Sequence, residues 1–571
     1  MKACVRTGQE KESDTSGPVR AVEIHLGDMG ESHMKNHAGE SISVWMATAK
    51  LPSFSRLLTN EQAHVCIVGA GIAGLTTAYM LGRAGKSVIV LDDGPIVSGE
   101  TERTTAHLVT ALDDRYIDLE RLHGDKGAQL AAESHSAAIS QIERIVREEQ
   151  IDCDFERVDG YLFVPLGESP DILDRELAAA QHAGLTDVHM VARAPITSFD
   201  TGRTLCFPRQ AQFHPLKYLA AVAQVIVRDG GRIYTETHAV KIEGGESARI
   251  ETRDGQTVTS EAVVVATNTP VNDLLAIHTK QAAYRTFVIG ATVPTGLISK
   301  GLYWDTSDPY HYIRLSRSSS VASDVLIVGG EDHKTGQTDD AEARYVKLEE
   351  WARARFPMMT DIVFRWSGQV MQPVDGLAFI GRNPMDEANV YIATGDSGNG
   401  MTHRTIAGIL LTDLIQGRDN AWSTLYDPYR KTIGALNTFA KETFNMAAQY
   451  VDWLTPGDVK EDVLVPPGSG AVVRRGLKKI AVYCDDARSA ARKVSSVSSF
   501  GRHRSVEPFR KNLGLPLSWI AIRQVWESGQ WTGYFKSIPS GRPSGTLTLQ
   551  KLIHPVLSNI DQLSAGSSTI L

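Results

Sequence analysis

Cysteine is scarce and scattered. Five occur in 571 residues, at Cys4, Cys66, Cys153, Cys206 and Cys484. The number is odd, no two are close in sequence and no C-x-x-C occurs. A disulfide framework is therefore not expected, and a zinc ribbon or cysteine-held cluster lacks its local signature. This pattern fits a reducing compartment, and a cytoplasmic location is expected. No run of about 18 apolar residues is present, so no membrane helix is expected. Basic charge is not in surplus either. The formal net charge of -8 argues against nucleic acid as a partner. The first forty residues hold no apolar h-region. Residues 1–42 are expected to be a disordered extension.

What is present is ordinary for a globular protein: 42% hydrophobic and 22% charged residues. The strongest local signal is "HVCIVGAGIAGLTTAYMLGRAGKSVIVLDD", His64 to Asp93. The apolar run Val65–Val68 reads as a buried parallel strand. It leads into Gly69-x-Gly71-x-x-Gly74, a helix over 73–83 and a second strand over 87–91. Asp92 closes that strand, 18 residues after Gly74. Each residue has a mechanical reason. Gly69 permits the tight turn, Gly71 lets a pyrophosphate approach the backbone, and Gly74 lets helix and strand pack. The phosphates meet free N–H groups at a helix start, and Asp92 can accept from ribose hydroxyls. A lone G-x-G-x-x-G is weak, but here every element occurs in order.

Two further segments bear on which dinucleotide binds. "SGETERTTAHLVTALDD", from Ser98, follows the second strand and is rich in small and hydroxyl residues. Far along the chain, "NVYIATGDSGNGMTHRTIAGILLTDLIQG", from Asn389, reads as strand, glycine turn and helix. Its helix start is a second anion site. A flavin needs such a partner, because negative charge grows at one edge of the ring on reduction.

At these residues the sequence resembles the FAD-dependent amine and amino-acid oxidoreductases of the D-amino-acid oxidase and glycine oxidase type. The branch it is most similar to carries a C-terminal Rieske domain. The motifs are the glycine fingerprint, "GETERTTAHL", "FHPLKYL", "VVVATNTP", "RWSGQVMQPVDGLAFIGR" and "YIATGDSGNGMTH". The resemblance implies an α/β fold. A Rossmann-like FAD domain, discontinuous in sequence, would take about 60–120, 210–280 and 365–420. A substrate domain with a large mixed sheet would take about 150–205 and 281–364. The whole oxidoreductase would span 43–464. It implies that Gly69, Gly71, Gly74 and Asp92 hold the ADP half. Arg103, Thr104, Thr105 and Ala106 would line the phosphates and flavin, and Val240 would face adenine through its backbone. Gly395, Asp396, Gly398 and Gly400 would sit at the flavin edge. The family usually has Gly after the "MTH" element, where this chain has Arg404.

The implied chemistry is hydride abstraction beside an amine nitrogen, with an amine or amino acid as substrate. No Ser-His-Asp set or metal constellation stands out. A substrate carboxylate would call for an arginine fork. Arg285 and Arg314 are the candidates, with Tyr312 beside Arg314. Alternation puts Tyr310, Tyr312 and Arg314 on one strand face; a solvent-facing sheet surface is the competing reading. His333 is a candidate base or a loop residue. His107 is read as a hydrogen-bonding neighbour of the cofactor rather than its covalent anchor.

The end of the chain is different. Pro466, Pro467, Gly468 and Gly470 mark a linker, and 465–487 resembles the opening of a Rieske domain. A Rieske 2Fe-2S cluster needs two Cys and two His. After Cys484 there is no cysteine, and the later histidines are His503 and His554. The tail as written cannot hold the cluster that intact relatives carry. Reading one nucleotide later from Arg488, however, the codons permit "GALHERSAVCPHLG" and, at "NLGLPLSWIAIRQVW", "TWDCPCHGSRFDKFG". Those are two Rieske ligand loops in order. A frameshift between about Cys484 and Arg488 is therefore inferred, and residues 488–571 are expected to lack a selected fold. The competing reading is a natural basic tail, with 15 Lys and Arg against 5 Asp and Glu from Pro467 onward. The expected function is FAD-dependent oxidation of an amine or amino acid, with an unknown electron acceptor. The alternative is an impaired FAD-binding remnant.

Overall fold

The computed structural model describes residues 41–430, apart from 166, 273–276, 278–279, 319–320, 336–339 and 385, together with three strands between Ser469 and Ser496. Residues 1–40 of the extension expected over 1–42, and most of the tail, lie outside the described residues.

Two sheets organise the body. The first has eight strands, and its central path is built around Glu61–Val68. That strand pairs in parallel with Val88–Leu91 on one side and Thr257–Val265 on the other. Val390–Thr394 adds in parallel beyond the latter, and Arg232–Tyr234 beyond the former. The central strands are apolar runs because helices cover the sheet. Val65, Cys66 and Ile67 are at most 1% exposed. Five strands, from parts of the chain as far apart as residues 61 and 394, thus run parallel in one sheet, as the discontinuous Rossmann-like reading requires. The helices Ile72–Arg83 and Gly400–Ile415 pack on each other, and Gly408 permits it: a Cβ there would meet Thr76 Cγ2 at 2.5 Å.

The second sheet has nine strands of mixed direction. Its order along the main path is Ile362–Pro373, Gln281–Pro294, Ser323–Lys334, Tyr312–Arg317, Leu302–Asp305, Glu156–Phe163, Thr204–Gln212 and His107–Leu108. The pair Leu302–Asp305 and Glu156–Phe163 is parallel; the other pairs along this path are antiparallel. Two long helices accompany the sheets. One is Tyr116–Glu148, kinked at Gly124, and the other is Ala341–Arg355. The start of the first lacks a side-chain cap of its own. The buried Glu176 supplies it from another helix, accepting from Tyr116 N at 2.9 Å and Ile117 N at 3.2 Å.

A separate three-stranded sheet joins Ser469–Arg475, Lys478–Cys484 and Lys493–Ser496. The first two strands form a hairpin within 465–487, the stretch that resembles the opening of a Rieske domain. The third falls after residue 487, where no selected structure was expected. Pairing on an open edge uses backbone groups alone, so it demands little of the side chains.

Candidate functional site

One cavity of about 750 Å³ is lined by residues of both large sheets. At the parallel sheet it reaches Gly69, Gly71, Asp92 and the start of Ile72–Arg83. At the mixed sheet it reaches Tyr284, Thr286, Trp304, Tyr312 and Asp332.

The glycine turn is built as the sequence demands. Gly69 has φ +108°, and a Cβ on it would lie 2.6 Å from Ala266 O. Gly74 does not line the cavity; a Cβ there would fall 1.8 Å from Gly69 O, so it seats the helix against the turn. The helix N-cap is Gly71, which offers no side-chain acceptor to the first turn. Asp92 accepts from Ala70 N at 2.6 Å and Gly94 N at 2.9 Å. Burial pushes its carboxyl up to about 7, against those two hydrogen bonds. Val240 is 55% exposed and does not line the cavity, whereas Thr237, His238 and Ala239 do.

The second glycine turn meets the first. Asp396, Gly398 and Gly400 line the cavity, and Gly395 packs behind them with φ +75°. The helix start at Gly400 also lacks a side-chain cap. Arg404 lines the cavity, donating to Asn268 Oδ1 at 2.7 Å and to Asp396 Oδ2 at 3.3 Å. Asp396 Oδ1 and Gln369 Oε1 are buried without partners. Two helix starts whose own N-cap residues give no side-chain hydrogen bond, glycines at which a side chain would clash and unsatisfied polar atoms on one wall fit a dinucleotide carrying a flavin.

Between the sheets runs the stretch Glu102–Ala106, the end of the 3-10 turn Glu100–Arg103 and the loop that follows it. Five consecutive carbonyls in it are held by side-chain donors. Ser43 Oγ donates to Glu102 O at 2.6 Å, Trp366 Nε1 to Arg103 O at 2.9 Å and Trp45 Nε1 to Thr104 O at 2.6 Å. Arg314 Nη1 donates to Thr105 O at 3.1 Å and Ala106 O at 2.7 Å. A loop has no ladder to satisfy its backbone, so side chains do it. Ala106 is held at φ +58°, an uncommon conformation for a residue with a Cβ. Arg103, Thr104 and Thr105 line the cavity; Ala106 lies behind it.

This arrangement relocates three residues expected at the substrate. Arg314 does share a strand face with Tyr312, but the 105–106 loop lies across that face. Arg314 is 3% exposed and outside the cavity, with its guanidinium above the Trp45 ring at 5.2 Å. Burial lowers it to about 9. Arg285 and His333 are register partners that also lie outside the cavity. Their neighbours Tyr284, Thr286 and Asp332 line it instead, because successive strand residues face opposite sides. Arg285 Nη1 donates to Ser367 Oγ at 2.8 Å, and His333 stacks on Phe287 with ring centroids 5.6 Å apart. Among the four expected substrate-side residues, only Tyr312 lines the cavity.

What surrounds Tyr312 is aromatic and acidic. Tyr310 lies 5.4 Å from it, centroid to centroid, and His107 meets it edge-on at 5.7 Å. Thr286 Oγ1 and the Tyr312 hydroxyl are 2.7 Å apart. Tyr310 donates to Asp113 Oδ2 at 2.8 Å. Asp113 is open to the cavity, but crowding by protein pushes it up to about 7. Burial and then Arg314 depress His107 to about 3, so its ring is neutral. Asp113, Asp332 and Trp304 were missed in the sequence. The alternation that exposed Tyr312 also marks Asp332 once the strand register is known.

Comparison with known proteins agrees with the geometry. A putative Rieske 2Fe-2S iron-sulfur protein, YhfW of Bacillus subtilis (strain 168), is 28% identical over 538 residues, covering 93% of this chain and 100% of that protein. Gamma-glutamylputrescine oxidoreductase of Escherichia coli (strain K12) is 28% identical over 397 residues, covering 66% of this chain and 89% of that one. Glycine oxidase from Geobacillus kaustophilus has the same fold, with a TM-score of 0.54 at 19% identity over 65% of this chain and 100% of that one. The profile described as FAD dependent oxidoreductase matches residues 64–414, from the glycine-turn strand to the helix of the second turn. The fold is thus shared with a solved oxidase, and the chain belongs to the DAO family of FAD-dependent oxidoreductases.

Proposed function

We propose that this chain oxidises a C–N bond of an amine or amino acid. The observation that carries the reading is the single cavity joining the glycine turns to the aromatic, acidic wall of the mixed sheet. FAD, when bound, accepts a hydride from the carbon beside nitrogen. The other groups orient the substrate and exclude water. Gly69, Gly71 and Asp92 would hold the ADP half. Thr104, Thr105, Gly398 and Gly400 would hold the flavin half. The product is an imine, and the amine proton leaves to a base. Asp113 Oδ2, hydrogen-bonded to Tyr310, is placed to hold it. Water then hydrolyses the imine to a carbonyl compound and an amine or ammonia. The two electrons leave to dioxygen, giving hydrogen peroxide, or to another acceptor. The relative named for gamma-glutamylputrescine is in keeping with an amine.

A second reading is favoured by a different observation. The Rieske relative is matched over its whole length, yet no cysteine follows Cys484 here. The chain would then be a flavin-binding remnant without its electron outlet. Anaerobic titration of the purified flavoprotein with an amine and amino-acid panel separates the two. Bleaching of the flavin supports the enzyme, and a spectrum that no compound bleaches sinks it. The gene's nucleotide sequence tests the frameshift. The two ligand loops must appear in the adjacent frame after Arg488.

A further inference from the structure

The mixed-sheet wall of the cavity carries a chemical bias that the oxidoreductase reading does not require. Ten carboxylate residues and three arginines line the whole cavity, and no lysine does so among the described residues; of the ten, Asp305 and Asp332 stand on strands of the mixed sheet. The arginines are Arg103, Arg115 and Arg404. None belongs to a strand of the mixed sheet. Arg404 is held by Asn268 and Asp396 beside the second glycine turn. Arg103 donates to Ser41 Oγ at 2.8 Å and Ser367 O at 3.4 Å. Arg115 begins the helix after the Asp113–Asp114 pair. Of the six arginines that the strands of the mixed sheet carry, none lines the cavity, and the two nearest the wall, Arg285 and Arg314, bond to Ser367 and to loop carbonyls. A carboxylate on the reacting carbon would therefore meet no arginine fork on this wall.

A cation meets a different environment there. Phe207, Tyr284, Trp304, Tyr310 and Tyr312 line the wall, and aromatic faces attract cations. Asp332 stands among them on the adjacent strand, three residues beyond Gly329, the cross-strand partner of Tyr312. Its Oδ1 is buried with no hydrogen-bond partner. A buried carboxylate oxygen without a donor is stabilised by an ammonium N–H.

We infer that this wall selects a cationic amine bearing no carboxylate beside its nitrogen, and that Asp332 is the residue that reads the charge. The inference rests on the oxidation reading for which atom reacts, but not for what binds. The experiment is equilibrium binding to the FAD-loaded protein, read by calorimetry, with two matched pairs: n-butylamine with norvaline, and benzylamine with phenylglycine. Members of each pair differ by one carboxylate. Expected is at least about tenfold tighter binding of the amine in each pair. Asp332→Asn should reduce that preference to within about threefold, with flavin content and Tm unchanged, while Asp332→Glu should retain part of it. Equal or tighter binding of the amino acids to the wild type, or no binding of either amine, overturns the inference. So does an Asp332→Asn protein that keeps the full preference. If Asp332→Asn fails to fold, the wild-type pairs and Asp332→Glu still decide. Flavin bleaching separates the two levels. Amines that bind preferentially but never bleach the flavin sink the oxidation reading alone. Amino acids that bleach it faster than their amine partners sink the inference alone.

Discussion

The Asp113 carboxylate stands where a side chain on residue 398 would have to be. Its Oδ2 lies 1.7 Å from the position a Cβ on Gly398 would take, and Gly398 has φ +77°. The second glycine turn and the chamber acid are thereby in direct contact. Gly398→Ala should cost about 2 kcal/mol or more, from backbone strain and displacement of Asp113. Thermal unfolding and flavin content of the purified variant check it. A variant with wild-type Tm and full flavin would contradict this packing.

Arg314 predicts a separation of effects. It is a strut rather than a substrate ligand, so Arg314→Met should destabilise the protein by about 3 kcal/mol. The buried carbonyls of Thr105, Ala106 and Phe213 would lose their donor. Flavin affinity should fall with it. The preference between matched amines and amino acids, measured on protein reconstituted with excess FAD, should stay as in the wild type. If that preference changes first, Arg314 contacts substrate after all.

Amine binding should depend on pH through Asp332. Burial raises this carboxyl to about 6, with Thr286, His311 and Arg344 pulling the other way and Glu331 adding to the rise. Tyr312 and Asp113 also face it from the chamber. The ionised form is the one that binds a cation. Amine affinity should therefore be level above about pH 6 and fall up to tenfold per pH unit below it. Calorimetry from pH 5 to 8 reads this directly, and Asp332→Asn should abolish the step.

The Tyr312 ring lies on its cross-strand partner Gly329, where a Cβ would come within 2.2 Å of the ring. Gly329→Val should push the ring into the chamber while leaving the parallel sheet untouched. The expected variant retains FAD and binds benzylamine at least about tenfold more weakly. Unchanged affinity would show that Tyr312 has no part in the wall.

The two regions differ in how far they could be read from the sequence. Gly69, Gly71 and Gly74 were legible because backbone geometry forces glycine there, and the spacing is local. The strand Val390–Thr394 and its turn were legible for the same reason. The chamber was not. Arg285 and His333 sit one residue away from Thr286 and Asp332, and only the paired register, with its shift between Arg285 and Phe287, decides which side of the sheet each takes. Arg314 was placed on the right face, but a loop from 208 residues away covers it. No local pattern encodes that contact. The third strand of the small sheet, Lys493–Ser496, was likewise illegible, because edge pairing leaves little trace in side chains.

The five held carbonyls of Glu102–Ala106 have a consequence for assembly. Within each peptide the N–H points opposite to the C=O, so turning five carbonyls outward fixes the direction of the N–H groups that follow them. The donors come from residues 43–45, 314 and 366, each in a different stretch of chain. No fragment shorter than residues 43–366 contains the whole set. The loop acquires its shape only when the N-terminal segment and two strands of the mixed sheet have docked, so cofactor capture reports on finished tertiary structure. By linkage, FAD should stabilise the docked body as one cooperative unit.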